Sequence, residues 1–337
     1  MADKYGVSPD VRENVKRLAL ELGYFSKKPA VASAFSKRAL LFLDRQTLFN
    51  DVNPFYAQII DAMEQKLAEY GIETDIIVVK FDKPEDVDYY TFQNKNPAGV
   101  VFLSKIDDKL ITAFGKTGLP LVLVDNWYYE GQEYDMVRAN NYCSGYEAAD
   151  YLVSKGHRSI AFVGRIDYSV SFRERYRGFA DCLKIYGIDI LHSDMQDIVY
   201  NKKMQWGFIS LNDIYDSEKL KNILLSPECP TALFCANDTI AVMVLKQLNS
   251  MNISVPDKIS VVGCDNTVES DSFELTTVDV FPKSMGHCAA ELLMDRINSR
   301  NRPSRYIQVS SKLIERKTVI EAKINSALDK TLAELNG

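Results

Sequence analysis

The stretch Ala39-Leu40-Leu41-Phe42-Leu43 is short, continuous and wholly apolar. A strand with one solvated face alternates apolar and polar residues, so an unbroken run of this length reads as a strand buried on both faces. The residues that follow repeat the theme. An amphipathic segment over 54–70 reads as a helix and closes at Gly71; Thr74–Val79 reads as a strand; Gly99-Val100-Val101-Phe102-Leu103 is a second unbroken apolar run. A helix near 107–117 and a strand over 120–124 come next. Further on, the spacing predicts helices over 142–155, 172–186, about 205–225, 238–251 and 284–299. It predicts strands at 159–163, near 196–200, at 232–235, 259–262 and 305–314. Buried strands alternating with helices indicate parallel sheets covered on both faces. They are too many for one comfortable sheet. The pattern therefore implies an α/β chain of two doubly wound parallel-sheet lobes, the first ending near Lys155-Gly156-His157. Such sheets bind ligands beyond the carboxyl ends of their strands, which places a crevice between the lobes.

Outward from this body, the first 38 residues differ in kind. Residues 8–23 read as one helix, with Ser8 as N-cap, Pro9 at the first helical position and Gly23 as the stop. Val11, Val15, Leu18 and Leu22 form a narrow apolar stripe that needs a partner surface, and nothing else in these residues supplies one. Eight cations face four anions here, so the net charge of −6 divides into a basic arm and an acidic body. A basic arm suits an anionic partner, and equally a solvated basic helix. At the other end, Ile320, Ile324, Leu328, Leu332 and Leu335 form one stripe, predicting a helical tail over 321–337 that packs on the chain's own body.

Composition excludes several classes. With 46% hydrophobic and 26% charged residues, the balance is that of a globular protein. No apolar run approaches the roughly 20 residues of a membrane span. The start lacks the build of a signal peptide, so the chain is expected in the cytoplasm. The six cysteines form no CxxC pair and the three histidines are scattered, which argues against a metal site. There is no GxSxG elbow, P-loop, HExxH or GxGxxG, and no carboxylate pair spaced as acid and base. No catalytic set and no cofactor are expected.

Polar groups do gather where strands hand over to helices. Asp125-Asn126-Trp127 follows the strand at 120–124, Asn237-Asp238-Thr239 the strand at 232–235, and Cys264-Asp265-Asn266 the strand at 259–262. Each alone is satisfied by a cap or a turn. Three in corresponding places point to a ligand-lining rim. Arg173-Glu174-Arg175 opens the helix after the strand at 159–163. Cations there oppose the helix dipole, a placement understandable if one arginine reaches a ligand. Asn53-Pro54-Phe55-Tyr56 begins the first lobe's first helix with aromatics that stack on a sugar ring or fill core.

These stretches, in order, resemble the LacI/GalR family of bacterial transcription regulators. The matching segments run from Val7-Ser8 to Leu22-Gly23-Tyr24, then through Asn53-Pro54-Phe55-Tyr56, Tyr142–Leu152 with Gly156-His157-Arg158-Ser159-Ile160, and Arg175–Phe179. They continue through Pro230–Asp238, Val255–Asn266, Leu275–Val278 and Arg316-Lys317-Thr318. The resemblance implies a periplasmic-binding-protein-like body of type I, crossed three times by the chain, preceded by a partial helical DNA-binding headpiece. It implies a homodimer, operator DNA bound by the full-length protein, and a small effector in the cleft, usually a sugar. Carried over by position, Phe55 and Tyr56 wall the effector, Ser171, Arg175 and Asp265 hydrogen-bond it, and Asn237 lines the rim, with Asn126 and Trp127 at the neighbouring strand end. Lys202 stands where relatives often place an aromatic, which leaves room for a sugar phosphate or another acidic effector.

The resemblance also assigns the ends. Residues 1–24 correspond to the last helix of a helix-turn-helix domain, without the recognition helix. Residues 25–38 correspond to the hinge, where Ala32, Ser33 and Phe35 face DNA. Phe35 takes the place of a wedging leucine, and apolar wedges kink DNA; Ser33 replaces the usual arginine. The implied lobes are 39–157 with 283–310, and 158–282 with 311–320. The expected function is a DNA-binding regulator controlled by a cleft-bound effector. The alternatives are a solute-binding protein of the same fold and an enzyme on an α/β scaffold, since fold alone does not settle function.

Overall fold

The protein is described by a computed structural model covering residues 37–44, 54–79, 97–126, 134–164, 166, 169–188, 208–209 and 229–322. The expected headpiece helix and hinge, including Ala32, Ser33 and Phe35, lie outside the described residues, as do Trp127, Lys202, the strand near 196–200 and positions 323–337 of the tail. Both sheets lie in one compact unit, Arg38–Gly337.

Strand β1 (Lys37–Asp44) divides its side chains by parity. Ala39, Leu41 and Leu43 enter one apolar cluster, and Leu40 and Phe42 enter another. That is the two-sided burial the unbroken apolar run demands. Helix α1 (Pro54–Glu69) and β2 (Ile72–Val79) follow. Next come β3 (Gly99–Leu103), α2 (Asp108–Gly115), β4 (Leu121–Val124) and β5 (Asp135–Ala139). On one face Phe42, Phe102 and Phe114 meet with ring centroids 4.9–5.5 Å apart. Truncating one such ring costs about 3–5 kcal/mol.

The second half comprises α3 (Asn141–Ser154), β6 (Ile160–Val163), α4 (Val170–Ile185), β7 (Phe208–Ile209), β8 (Ala232–Cys235) and α5 (Asp238–Ser250). It continues with β9 (Ser260–Cys264), α6 (Val268–Ser272), β10 (Thr276–Asp279), α7 (Pro282–Asn298), β11 (Tyr306–Val309) and β12 (Lys312–Ile314). The strands form two six-stranded sheets, ordered β11-β5-β4-β3-β1-β2 and β12-β10-β9-β8-β6-β7. The same strand order is used twice, and the two sheets differ in the direction of the edge strand: β11 runs parallel to β5. β12 runs antiparallel to β10.

Strands β5 and β10 and helix α6 are not among the expected elements, and three expected features are placed differently. The segment 305–314, expected as one strand, is two strands in different sheets, divided at Ser310-Ser311. Within the span expected as a helix from about 205, Phe208–Ile209 is a strand, paired in parallel with Phe162 and Val163 of β6. Helix α3, expected in the first lobe, packs on α4, β12, β10 and β8 of the second. The first crossing between sheets therefore falls at Asn140, before α3, and not near 157. The reason is local: Asn140 caps α3 by accepting from the Cys143 amide, which ends β5 and starts the helix in one step. The other crossings lie between Asp279 and Pro282 and between Val309 and Lys312. Among the described residues, no helix is long and apolar enough to cross a membrane.

Candidate functional site

At the carboxyl ends of the strands, the backbone turns sharply. Ser104 after β3, Asp125 after β4, and Asp265 and Asn266 after β9 have φ of 66°, 47°, 113° and 49°. Asp and Asn tolerate this left-handed region better than bulkier residues, and such turns cluster at ligand sites. Asp265 leaves β9 with its amide bonded to the Val278 carbonyl. Asn266 is held on both sides, donating from Nδ2 to Asp279 and accepting from Arg316.

Arg175, in the second turn of α4, is the centre of the second lobe's rim. Only 3% of it is exposed. Its Nε donates to Asn141 Oδ1 at 2.9 Å, one terminal nitrogen to the Ala236 carbonyl at 2.6 Å and the other to Asp265 Oδ1 at 2.7 Å. Burial disfavours the guanidinium's charge, but the Asp265 carboxylate more than offsets this, and the net effect raises its pKa. Burial pushes the Asp265 carboxyl up, with Arg175 opposing. A buried pair of this kind stays charged only because each partner is hydrogen-bonded.

The first lobe supplies Asp125. Its Oδ2 accepts from the Tyr56 phenol at 2.7 Å and its Oδ1 from the Ser171 hydroxyl at 3.0 Å. Tyr56 belongs to α1 of the first lobe and Ser171 to α4 of the second, so one carboxylate ties both sides of the cleft. Burial and the charge of Asp125 raise the Tyr56 pKa well above its usual value, so the phenol is a donor at any physiological pH. A second tie lies nearby. Arg138 of β5, 1% exposed, donates to Glu174 of α4 at 2.7 Å and to the Tyr306 hydroxyl at 3.1 Å.

The expected site residues thus fare differently. Tyr56, Ser171, Arg175 and Asp265 come together around Asp125. Phe55 is buried and packs edge-on against Tyr56, its ring centroid 5.0 Å away, as core behind the cleft. Asn126 is buried and donates to the Ser104 carbonyl at 2.6 Å, bracing two strand ends. Asn237 caps α5, accepting from the Ile240 amide, and is half-buried. Of the 125–127 triplet, Asp125 is the residue at the centre, and it is absent from the expected set. Asn141 and the Ala236 carbonyl are also additions. Asp238, beside the expected Asn237, is structural. It accepts from Thr277 Oγ1 and the Thr267 amide, and burial lifts its carboxyl to about 6. Among the described residues, no cluster of His, Cys, Asp and Glu is placed to hold a metal.

The model of the periplasmic binding protein-like domain matches residues 149–319, about half of the chain. The HTH-type transcriptional repressor PurR of Erwinia tasmaniensis is 30% identical over 275 residues, which span 80% of this chain and 77% of that protein. The chain belongs to the LacI/GalR family of transcription regulators. Solved members share the fold. The LacI family transcriptional regulator of Enterococcus faecium with bound ribose is 21% identical, with a TM-score of 0.68 over 85% of this chain and 100% of that one. The CelR–cellobiose complex is 24% identical, with a TM-score of 0.69 over 94% of this chain and 92% of that one. In LacI/GalR terms, the described body is a pair of parallel-sheet lobes facing each other across the cleft just described.

Proposed function

We propose that this chain is a DNA-binding transcription regulator whose effector, a sugar-like polyol, occupies the cleft between the lobes. The observation that carries this reading is the Asp125 carboxylate, which joins Tyr56 and Ser171 across the cleft beside the buried Arg175–Asp265 pair. Fixed carboxylates and a guanidinium fork on opposed rims suit hydroxyls that both donate and accept. Hydroxyls inserted there replace the Ser171–Asp125 bond with two bonds, one to each lobe, and so favour closure. The ribose and cellobiose complexes among the structural neighbours support a sugar class. The repressor relative supports the DNA role, which falls to the basic residues 1–38 and the hinge positions Ala32, Ser33 and Phe35 in a homodimer. A neutral sugar is preferred over a sugar phosphate. The three arginine bonds in the cleft already go to protein acceptors, and Asp125 and Asp265 repel a phosphate.

A thermal-shift panel of neutral sugars, sugar phosphates and nucleobases tests the effector half. A sugar at about 100 times its dissociation constant adds roughly 2.7 kcal/mol of stability. A panel in which only nucleobases or only phosphates shift the transition overturns the sugar assignment, and turnover of any hit favours an enzyme. Sequencing of chromosomal DNA recovered with the full chain, with and without the active sugar, tests the regulatory half. Enrichment of no discrete site removes it.

A further inference from the structure

Each of the first two crossovers delivers a helix into the lobe it enters. α3 follows β5 of the first sheet and packs on α4; α7 follows β10 of the second sheet and packs on α1. Helices α4 and α1 carry three of the cleft's side chains: Ser171 and Arg175 on α4, Tyr56 on α1. In both pairs the contact is backbone against backbone, and a glycine makes it. A Cβ at position 145 would lie 1.8 Å from the Arg175 carbonyl oxygen and 2.8 Å from its Cα. The reciprocal contact, one turn on, would put a Cβ at 178 only 1.9 Å from the Tyr142 carbonyl oxygen. In the other pair, a Cβ at 286 would lie 2.3 Å from the Ile59 carbonyl oxygen and 3.0 Å from the Met63 amide nitrogen.

The consequence for the site is direct. Asn141 is the first residue of α3, and its Oδ1 takes the Arg175 Nε–H at 2.9 Å. That bond exists only at the separation Gly145 permits. A methyl group at 145 forces the helices apart by about an ångström or more at Arg175 itself, because the atom it meets is backbone and cannot swing away. A shift of this size is enough to misplace a binding group. We propose that Gly145 and Gly286 are positioning residues, each seating a helix from one crossover against the cleft-facing helix of the lobe it enters. Gly145 fixes Arg175; Gly286 fixes Tyr56. The crossovers are thereby joined mechanically to the two cleft-lining helices. This inference rests on the proposed function only in treating Arg175 and Tyr56 as effector-facing, and its test needs no effector.

The test reads the two side chains by NMR in the full chain. The Arg175 Nε–H resonance is assigned by its loss in Arg175→Lys, and the Tyr56 Cζ resonance, in ring-labelled protein, by its loss in Tyr56→Phe. Gly145→Ala should shift the Arg175 signal and speed its hydrogen exchange roughly tenfold, leaving Tyr56 in place. Gly286→Ala should move the Tyr56 signal and leave Arg175 unchanged. A folded Gly145→Ala protein that keeps the native Arg175 signal overturns the proposal. So does equal disturbance of both signals by either variant, which is general loosening. If Gly145→Ala does not fold, the Gly286→Ala pattern decides alone: a Tyr56 shift with Arg175 unmoved supports the proposal, and any other pattern ends it. Failure of both to fold makes these glycines requirements of the fold, not positioning residues, and also ends it.

Discussion

Arg175 and Asp265, on the second lobe, are almost withdrawn from water and spend their bonds on each other, on Asn141 and on the Ala236 carbonyl. Asp125, on the first lobe, is only half-buried and takes one donor from each side of the cleft. The second rim is therefore an anchor, set before anything binds. The first is a latch whose bonds change partners when the lobes move. Anchors lower the entropy cost of binding; latches let binding be felt elsewhere. Substitutions on the anchor should therefore cost stability, and substitutions on the latch should cost closure.

The largest effect is expected from the anchor. Arg175→Ala leaves Asp265 buried without its cation and should lower unfolding free energy by about 3–5 kcal/mol. Effector binding disappears as well. Adding Asp265→Ala should return part of the lost stability, because the orphaned charge is gone. Urea unfolding of the two single variants and the double variant checks this. A loss below about 1 kcal/mol in Arg175→Ala would show that the rim is not preset.

Next comes the second tie between the lobes. Glu174→Gln removes the charge partner of Arg138, which keeps its contact with Tyr306. A charge-assisted bond of this kind contributes about 2 kcal/mol. The same unfolding measurement checks the value, and an unchanged midpoint would leave Asp125 as the tie that matters.

Much of the fold was legible in the sequence because its strands are apolar runs: 39–43, 99–103 and 232–235 need only solvent exclusion to be read. Strands β5 and β10 were not, and the reason is physical. Asp135-Met136-Val137-Arg138-Ala139 carries a charge near each end, yet Asp135 is fully buried, held by Arg296, Arg302 and the Arg305 amide. Thr276-Thr277-Val278-Asp279 buries two threonines on partners as distant as Thr318 and Asp238. Nothing local announces such strands, because their stability comes from residues far along the chain. The site divides the same way. Arg175 was marked by a cation set against the helix dipole, and Asp265 by its strand end and the family resemblance. Asp125 looked like turn chemistry, and only the partners brought by α1 and α4 make it the centre.

Asp238 offers a separate check on the anchor's surroundings. Burial lifts its carboxyl to about 6, against roughly 3.9 in an unfolded chain. The folded form thus holds this proton more readily. Its contribution is fully present below pH ~4 and is lost as pH rises through about 6, an effect on the order of 3 kcal/mol. Stability of the wild-type chain should therefore fall more steeply between about pH 4 and pH 6 than that of Asp238→Asn. Parallel pH profiles would show that Asp238 stays charged throughout.

The smallest expected energy tests the latch most sharply. Ser171→Ala removes one neutral-to-carboxylate hydrogen bond, worth about 1 kcal/mol. That barely moves an unfolding curve, but it changes an open–closed ratio about fivefold. Small-angle scattering of the unliganded chain should show a larger radius of gyration. Tyr56→Phe is the matched control. It takes the other donor from the same carboxylate, at the shorter 2.7 Å distance, but Tyr56 and Asp125 both belong to the first lobe. Its loss should leave the radius unchanged while weakening effector binding. If both variants open the cleft equally, Asp125 acts by its charge and not as a tie between lobes. If neither does, contacts other than Asp125's, the Arg138–Glu174 pair among them, hold closure, and the half-buried rim is as preset as the buried one.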